Sequence, residues 1–261
     1  MGRFQGLMGE QFRIPLPRDE TALAAFQAFA AEYAAEAAAV ILEPLVQGAG
    51  GMLFHDAETL TRVSETCDEH GLLLILDEIM TGLGRLGSMF ACEQAGVAPD
   101  LMTVSKSLTG GTMPLAATLA SAKVFDGFLS PELDNALMHG PTFTGNALAC
   151  AAANASLDLF ESEPRLEQVK ANEQHLAAAL EPCRGMKGVW GEVKEVRVRG
   201  AIGVVEMAAI SDMNGLRARF VEAGCWIRPF GNIVYLMPAF TIEPQDLTRL
   251  TGVVVSVIGE D

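Results

Sequence analysis

The chain has 261 residues, of which 50% are hydrophobic and 20% are charged, and its formal net charge is −15 at pH 7. This length and composition predict a folded protein with one large core or two modest ones, and they exclude a disordered or collagen-like class. The acidic balance without any basic run disfavours nucleic acids and anionic membranes as partners, because phosphate binding needs clustered Lys and Arg.

Cysteine usage and the ends of the chain bear on the compartment. The five cysteines are scattered and form no C-x-x-C pair, which disfavours a disulfide framework and a zinc site and favours a reducing environment. No metal site is predicted. The residues after Met1 contain no apolar stretch of a secretory signal, and no run reaches the ~18 apolar residues of a membrane span. We therefore expect a soluble, cytoplasmic protein.

Helices are predicted from composition and capping residues in the amino-terminal part. An Ala-rich stretch from Thr21 to about Ala38 consists mostly of strong helix formers. Ala57 to His70 is predicted to be an amphipathic helix, with Asp56 as the candidate N-cap and Gly71 as the candidate C′ residue.

Short apolar runs between and after these helices predict strands. Three runs, two of them preceded by a helical stretch, favour βαβ units with a buried parallel sheet: Ala39–Leu42, Leu72–Leu76 and Leu101–Val104. A further apolar run covers Leu115–Leu119. The first three runs end in charged or polar residues, namely Glu43, Asp77 and Ser105-Lys106. Ligands of open α/β sheets bind beyond the carboxyl ends of the strands, so chemistry is expected there.

The carboxy-terminal part has a different pattern. From about residue 165 we predict a smaller α+β domain. Helices are predicted over residues 147–161, 165–181, 212–223 and 244–258, and strands over 193–207 and 225–237.

Asp77 and Lys106 are the first two candidate site residues. The Asp77 carboxylate either caps the following turn or keeps the pyridine nitrogen of a cofactor protonated, which makes the ring an electron sink. Lys106 is one of five lysines and alone directly follows a short apolar run. Most lysines are solvated surface groups, but a lysine at a strand end beside a cleft can act as an amine nucleophile.

A loop and an arginine further along the chain are weaker candidates. Residues 139–146 form a loop by their Gly and Pro content and lead into the helix at Ala147, where a phosphate or nothing at all could bind. Arg228 stands among apolar and aromatic residues. If it is partly buried, its partner is either an internal acid or the carboxylate of a substrate.

Together these stretches resemble the class III, fold-type I pyridoxal-phosphate aminotransferases. The signature consists of Asp77-Glu78, Thr81-Gly82 and Gly84-Arg85, followed by Ser105-Lys106. Within the family, the chain resembles more closely the members that act in biotin biosynthesis. Five stretches carry this second resemblance: Glu43–Met52, Leu108–Met113, His139–Asn146, Trp226–Gly231 and Tyr235–Pro238.

The resemblance implies a fold and a cofactor site. The fold is α/β, with residues 1–164 as a partial cofactor-binding large domain with a mostly parallel sheet and residues 165–261 as the small domain. Lys106 would carry pyridoxal 5′-phosphate as a Schiff base and shuttle a proton, and Asp77 would pair with the pyridinium nitrogen. Pro141 and Thr142 would contact the cofactor phosphate across the interface of a homodimer.

The resemblance also implies the substrates. S-adenosylmethionine would donate the amino group and 8-amino-7-oxononanoate would accept it, giving 7,8-diaminononanoate. Gly140 would line the substrate pocket, and Arg228 would hold the carboxylate of the acceptor.

One departure from the family concerns the amino terminus. The family pattern includes a longer amino-terminal portion with a Gly-Ser phosphate turn and an aromatic Tyr-His-Gly segment, and neither occurs in residues 1–50. We therefore expect an exposed sheet edge and exposed apolar surface. Two alternatives stay open, which are another class III ω-aminotransferase and a catalytically silent chain with an incomplete cofactor site.

Overall fold

A computed structural model describes residues 11–260 of the chain. The expectation about a secretory signal falls on the first ten residues, which lie outside this range. The helices are α1 (Glu20–Tyr33), α2 (Ala57–His70), α3 (Ala122–Asp126), α4 (Ala147–Ser162), α5 (Arg165–Leu180), α6 (Met213–Glu222) and α7 (Pro244–Ile258). The strands are β1 (Ala39–Leu42), β2 (Val46–Gln47), β3 (Leu53–Phe54), β4 (Leu73–Asp77), β5 (Leu101–Val104), β6 (Ala117–Ala120), β7 (Lys187–Gly188), β8 (Gly191–Arg199), β9 (Ile202–Met207) and β10 (Ile233–Leu236).

The first sheet has the strand order β1-β4-β5-β6. The strands β1, β4 and β5 are parallel, as predicted, whereas β6 runs antiparallel to β5 at the edge of the sheet. The apolar run at Leu115–Leu119 is therefore not another buried parallel strand, and all four residues of β6 are exposed. The segment between β5 and β6 contains only a short 3-10 turn instead of the crossover helix that a parallel connection needs, so the chain reverses direction.

The helix α2 confirms the predicted bounds and caps. The Asp56 side chain accepts a hydrogen bond of 2.7 Å from the backbone N–H of Thr59, and Gly71 ends the helix in the left-handed conformation at φ 67°. The helix α1 ends at Tyr33, earlier than predicted, because the backbone N–H groups of Glu36 and Ala37 close a turn onto the carbonyl of Tyr33. A high alanine content favours a helix without marking its end.

The second sheet is antiparallel, with the order β10-β9-β8-β7. Its core combines residues of the sheet with residues of α5, α6 and α7, including Leu176, Phe220 and Val254. The region predicted as strand at 193–207 is a hairpin that turns at Gly200, and only Ile233–Leu236 of the predicted strand at 225–237 is extended within the sheet.

A third cluster joins the two sheets. It contains Leu45, Val46 and Leu86 from the first part of the chain together with Ile202 and Ile233 from the second sheet. The predicted boundary at residues 164 and 165 lies in the short link between α4 and α5 and stays a prediction. Among the described residues, no helix combines the length and apolarity that a membrane crossing requires.

Candidate active site

Asp77 ends the strand β4 at the carboxyl edge of the first sheet. Its Oδ1 accepts hydrogen bonds from the backbone N–H of Ile79 at 3.0 Å and from Oγ1 of Thr103 at 3.2 Å. Within residues 11–260, Oδ2 accepts no hydrogen bond from the chain. One oxygen therefore caps the turn and the other remains available to a ligand, so the two alternative roles of Asp77 are compatible.

The adjacent Glu78 is a structural carboxylate. It is 1% exposed and accepts hydrogen bonds from Oγ1 of Thr81 at 2.8 Å and from the backbone N–H groups of Ala91 at 3.0 Å and Cys92 at 2.9 Å. Burial raises the pKa of Glu78, and these donors act against the rise. The side chain thereby closes the segment that follows β4 onto the start of a 3-10 helix at Ala91.

Lys106 follows the strand β5 in a conformation that is uncommon for a residue with a side chain. Its φ is 41°, in the left-handed region, where a non-glycine residue stores about 1–3 kcal/mol of strain. Two hydrogen bonds hold the turn around it: Ser105 Oγ donates to the carbonyl of Leu115 at 2.7 Å, and Ser156 Oγ of α4 donates to the carbonyl of Ser107 at 3.1 Å. The Lys106 side chain itself is exposed.

Asp77 and Lys106 lie at the same edge of the first sheet. Asp77 pairs with Thr103 across the parallel strands β4 and β5, and Lys106 comes three positions after Thr103. Three residues span at most about 10 Å. The parallel register therefore places a carboxylate and a primary amine at the carboxyl ends of neighbouring strands, as the spacing of the apolar runs predicts.

Arg85 is a site residue that sequence reasoning did not single out beyond its place in the family signature. It is buried, its Nη1 donates to the carbonyls of Pro238 at 2.8 Å and Ala201 at 3.2 Å, and its guanidinium lies 4.5 Å from the centre of the Phe240 ring. Burial lowers the pKa of Arg85 to about 10. Among the ion pairs of the described residues, none involves Arg85.

A cavity of about 580 Å³ connects Arg85 with Lys106. Its walls also include the side chains of Ser156, Phe160 and Phe240, whereas Asp77 does not line it. The cavity therefore presents an amine and an unpaired guanidinium beside aromatic rings, a combination that suits a partly apolar ligand with an anionic group.

Two other candidates do not meet Lys106 in this structure. Residues 139–142 are exposed and line neither of the two cavities that include Lys106, although Asn146 caps the helix α4 that follows them. Arg228 is also exposed, so the expectation of a partly buried arginine is wrong. The alternation of this segment buries its neighbours Ile227 and Pro229 instead.

These residues fit the cofactor that the sequence resemblance implies. A pyridinium nitrogen requires a carboxylate with a free oxygen, and Asp77 Oδ2 supplies one. An aldehyde requires an accessible amine at the same edge of the sheet, and Lys106 supplies it. Within residues 11–260, no group of three or more His, Cys, Asp or Glu side chains could hold a metal ion.

Comparisons with known proteins give the family. The family model described as "Aminotransferase class-III" matches residues 3–258. The adenosylmethionine-8-amino-7-oxononanoate aminotransferase of Mycobacterium leprae (strain TN) is 41% identical over 247 residues, which are 95% of this chain and 56% of that protein. The enzyme of the same name from Corynebacterium glutamicum is 46% identical over 212 residues, 81% of this chain and 49% of that protein.

Solved structures agree with this. The adenosylmethionine-8-amino-7-oxononanoate aminotransferase of Methanocaldococcus jannaschii has a TM-score of 0.90 at 29% identity, over 98% of this chain and 61% of that chain. An ornithine aminotransferase from Toxoplasma gondii, described with partial occupancy of PLP at its active site, has a TM-score of 0.82 at 30% identity, over 98% and 58%. This chain spans about half the length of the curated relatives it matches. The predicted fold class is confirmed, and the chain belongs to the class-III aminotransferase family.

Proposed function

We propose that this chain carries the catalytic lysine of a pyridoxal-phosphate-dependent aminotransferase of biotin biosynthesis. The amino group would pass from S-adenosylmethionine to 8-amino-7-oxononanoate and give 7,8-diaminononanoate. The observation that carries the proposal is the placement of Asp77 and Lys106 at the carboxyl ends of the paired strands β4 and β5. The relatives named for this reaction, at 41% and 46% identity, supply the substrates.

Each candidate residue has one task at the site. Lys106 would hold the cofactor covalently and move a proton at the substrate carbon. Asp77 would keep the ring nitrogen protonated through Oδ2, while Oδ1 stays bonded to the turn. Pro141 and Thr142 would contact the phosphate. Pyridoxal phosphate, when bound, supplies the electron sink that stabilises negative charge at the substrate carbon.

The substrates bring carboxylates, and the chain supplies two guanidinium groups for them. Arg228 would hold the carboxylate of the acceptor beside Gly140, and its exposure leaves it accessible to a ligand. Arg85 is the second cation, because it lines the cavity with Lys106 and has no acidic partner among the described residues.

The assembly and location are part of the same proposal. We infer a homodimer in the cytoplasm that acts on small molecules. Large apolar side chains are exposed along one stretch of the chain and would be covered in such an assembly: Leu119, Phe125, Phe128, Leu129, Leu133, Leu137, Met138, Phe143 and Leu148. We also propose residues 1–164 as the cofactor-binding part and 165–261 as the small domain.

Covalent trapping tests the assignment of Lys106. The chain is titrated with pyridoxal phosphate, reduced with borohydride and digested, and the modified lysine is identified by mass spectrometry. We expect the label on Lys106, its loss in Lys106→Ala, and its retention in Lys170→Ala, which removes an exposed lysine of α5. A label that persists unchanged in Lys106→Ala contradicts the proposal.

The two alternatives make different predictions in a donor assay. The likeness to the ornithine aminotransferase favours an ω-aminotransferase as the second candidate, and this reading predicts turnover with an ω-amino acid donor instead of S-adenosylmethionine. Lysine and glutamate are compared as donors in the same assay. A catalytically silent chain predicts neither specific labelling of Lys106 nor turnover.

A further inference from the structure

Glu43 occupies the third strand end at the edge that holds Asp77 and Lys106. Leu42 pairs with Leu76 in the parallel register of β1 and β4, so the next residue of each strand end, Glu43 and Asp77, lie side by side. Glu43 is half-buried, and the proposed function assigns it no role.

The surroundings of Glu43 hold it in a defined position. The backbone N–H of Gly48 donates a hydrogen bond to its carboxylate. A side chain at Gly48 would overlap the thioether of Met80 and come within 3.2 Å of Oε1 of Glu43, so only glycine fits between the two. The carbonyl of Glu43 lies 3.2 Å from Nε2 of the buried His55. Both the backbone and the carboxylate of Glu43 are thus constrained.

The charged side chains that act on the Glu43 carboxylate are Asp77 and Lys106. Burial raises the pKa of Glu43 most, the Gly48 N–H lowers it, Asp77 raises it and Lys106 lowers it. No ion pair within 4.0 Å involves Glu43 or Lys106 among the described residues. The two groups therefore interact through space, without a salt bridge that would immobilise the lysine.

A charge–charge interaction is reciprocal. Because Lys106 favours the ionised form of Glu43, the ionised Glu43 favours the protonated form of Lys106 to the same extent. Only the neutral amine is a nucleophile toward a carbonyl carbon.

We propose that Glu43 is a positioning residue that restrains the nucleophilicity of Lys106, because its carboxylate charge favours the protonated amine. This inference rests on the proposed role of Lys106 as the amine nucleophile. It deepens that role by naming the residue that determines how readily the amine reacts.

The test measures the reactivity of Lys106 without any cofactor. The chain is treated with acetic anhydride over a range of pH, and acetylation of Lys106 is quantified by mass spectrometry relative to Lys170 in the same sample. At about pH 8, we expect Glu43→Gln to acetylate Lys106 about 3- to 10-fold faster than the unmodified chain, since one pKa unit corresponds to a factor of ten. At high pH, where the amine is neutral in both proteins, the rates should converge.

Control variants separate charge from structure. Glu69→Gln removes an exposed carboxylate at the end of α2, next to the opposite edge of the sheet, and should leave the ratio of Lys106 to Lys170 unchanged. Glu43→Asp retains the charge and should restore slow acetylation, and it serves as the main comparison if Glu43→Gln fails to fold by circular dichroism.

Two outcomes overturn the proposal. The first is an equal rate in Glu43→Gln and the unmodified chain at every pH. The second is a rate that changes by the same factor at all pH values, which indicates altered access to Lys106. Because no cofactor takes part, either result leaves the trapping test of the proposed function independent.

Discussion

Ser156 of α4 donates a hydrogen bond of 3.1 Å to the carbonyl of Ser107, which connects this helix to the turn that begins at Lys106. Helix α4 follows the exposed loop 139–146, so one helix links the candidate phosphate loop with the candidate catalytic lysine. Because the Lys106 turn contains a residue with positive φ, it depends on such contacts to keep its conformation.

Ser156→Ala removes this connection. We expect a loss of about 1 kcal/mol in the free energy of unfolding, the usual net value of one hydrogen bond, together with weaker trapping of pyridoxal phosphate on Lys106. Urea denaturation and borohydride trapping measure the two effects. Ser162→Ala is the matched control, since Ser162 bonds only to the carbonyl of Asp158 within the same helix. Equal effects of both variants would contradict the linking role of Ser156.

Glu78→Ala should destabilise the fold strongly. The substitution leaves the buried N–H groups of Ala91 and Cys92 without acceptors, and we expect a loss of about 2–4 kcal/mol in the free energy of unfolding. The measurement is chemical denaturation followed by circular dichroism. Glu93→Ala, at an exposed position in the same 3-10 helix, should change the stability by less than about 0.5 kcal/mol.

Asp77→Asn should separate cofactor binding from folding. The amide oxygen of asparagine can still accept the hydrogen bond from Ile79 N–H, so the stability should change little. Loss of the charge should weaken pyridoxal phosphate binding about 10- to 100-fold, because hydrogen bonds to charged groups are worth about 1.5–3 kcal/mol. Equilibrium titration tests this, with Asp158→Asn on the exposed face of α4 as the control. Undiminished affinity in Asp77→Asn would refute the pairing with the ring nitrogen.

Glu206 should make the stability depend on pH. Its side chain pairs with Arg197, whose side chain is 11% exposed and also donates to the carbonyl of Met52, so the pair connects the second sheet to the first part of the chain. The hydrogen bond from Arg197 lowers the pKa of Glu206 below its ordinary value of 4.5. The stability that the pair contributes is therefore complete above pH 4.5 and is lost as the pH falls through the lowered pKa.

The corresponding measurement compares Glu206→Gln with the unmodified chain across this pH range. At neutral pH we expect the variant to be less stable by about 1–2 kcal/mol, since breaking a partly buried pair leaves Arg197 underpaired. The difference should vanish at low pH. Glu195→Gln removes the more exposed partner of Arg197, with 48% exposure, and should have a smaller effect. A constant difference at every pH would show that the Glu206 charge is not responsible.

The sequence by itself determined the elements whose signals are local. Asp56 and Gly71 mark the ends of α2, and Pro244–Ile258 forms α7 as predicted, because capping and helical periodicity are properties of neighbouring residues. Asp77 and Lys106 could be placed at strand ends for the same reason, since each directly follows a short apolar run. The motif spacing around them also identified the family.

The tertiary structure alone decided which groups meet across the chain. Arg85 reaches the carbonyls of Ala201 and Pro238, and Glu78 satisfies the N–H groups of Ala91 and Cys92. Glu43 joins Asp77 only through the register of β1 and β4. The direction of β6 and the exposure of Arg228 likewise depend on packing between segments that are distant in sequence. Periodicity within one segment carries no information about such contacts, because their free energy comes from desolvation and pairing between different elements.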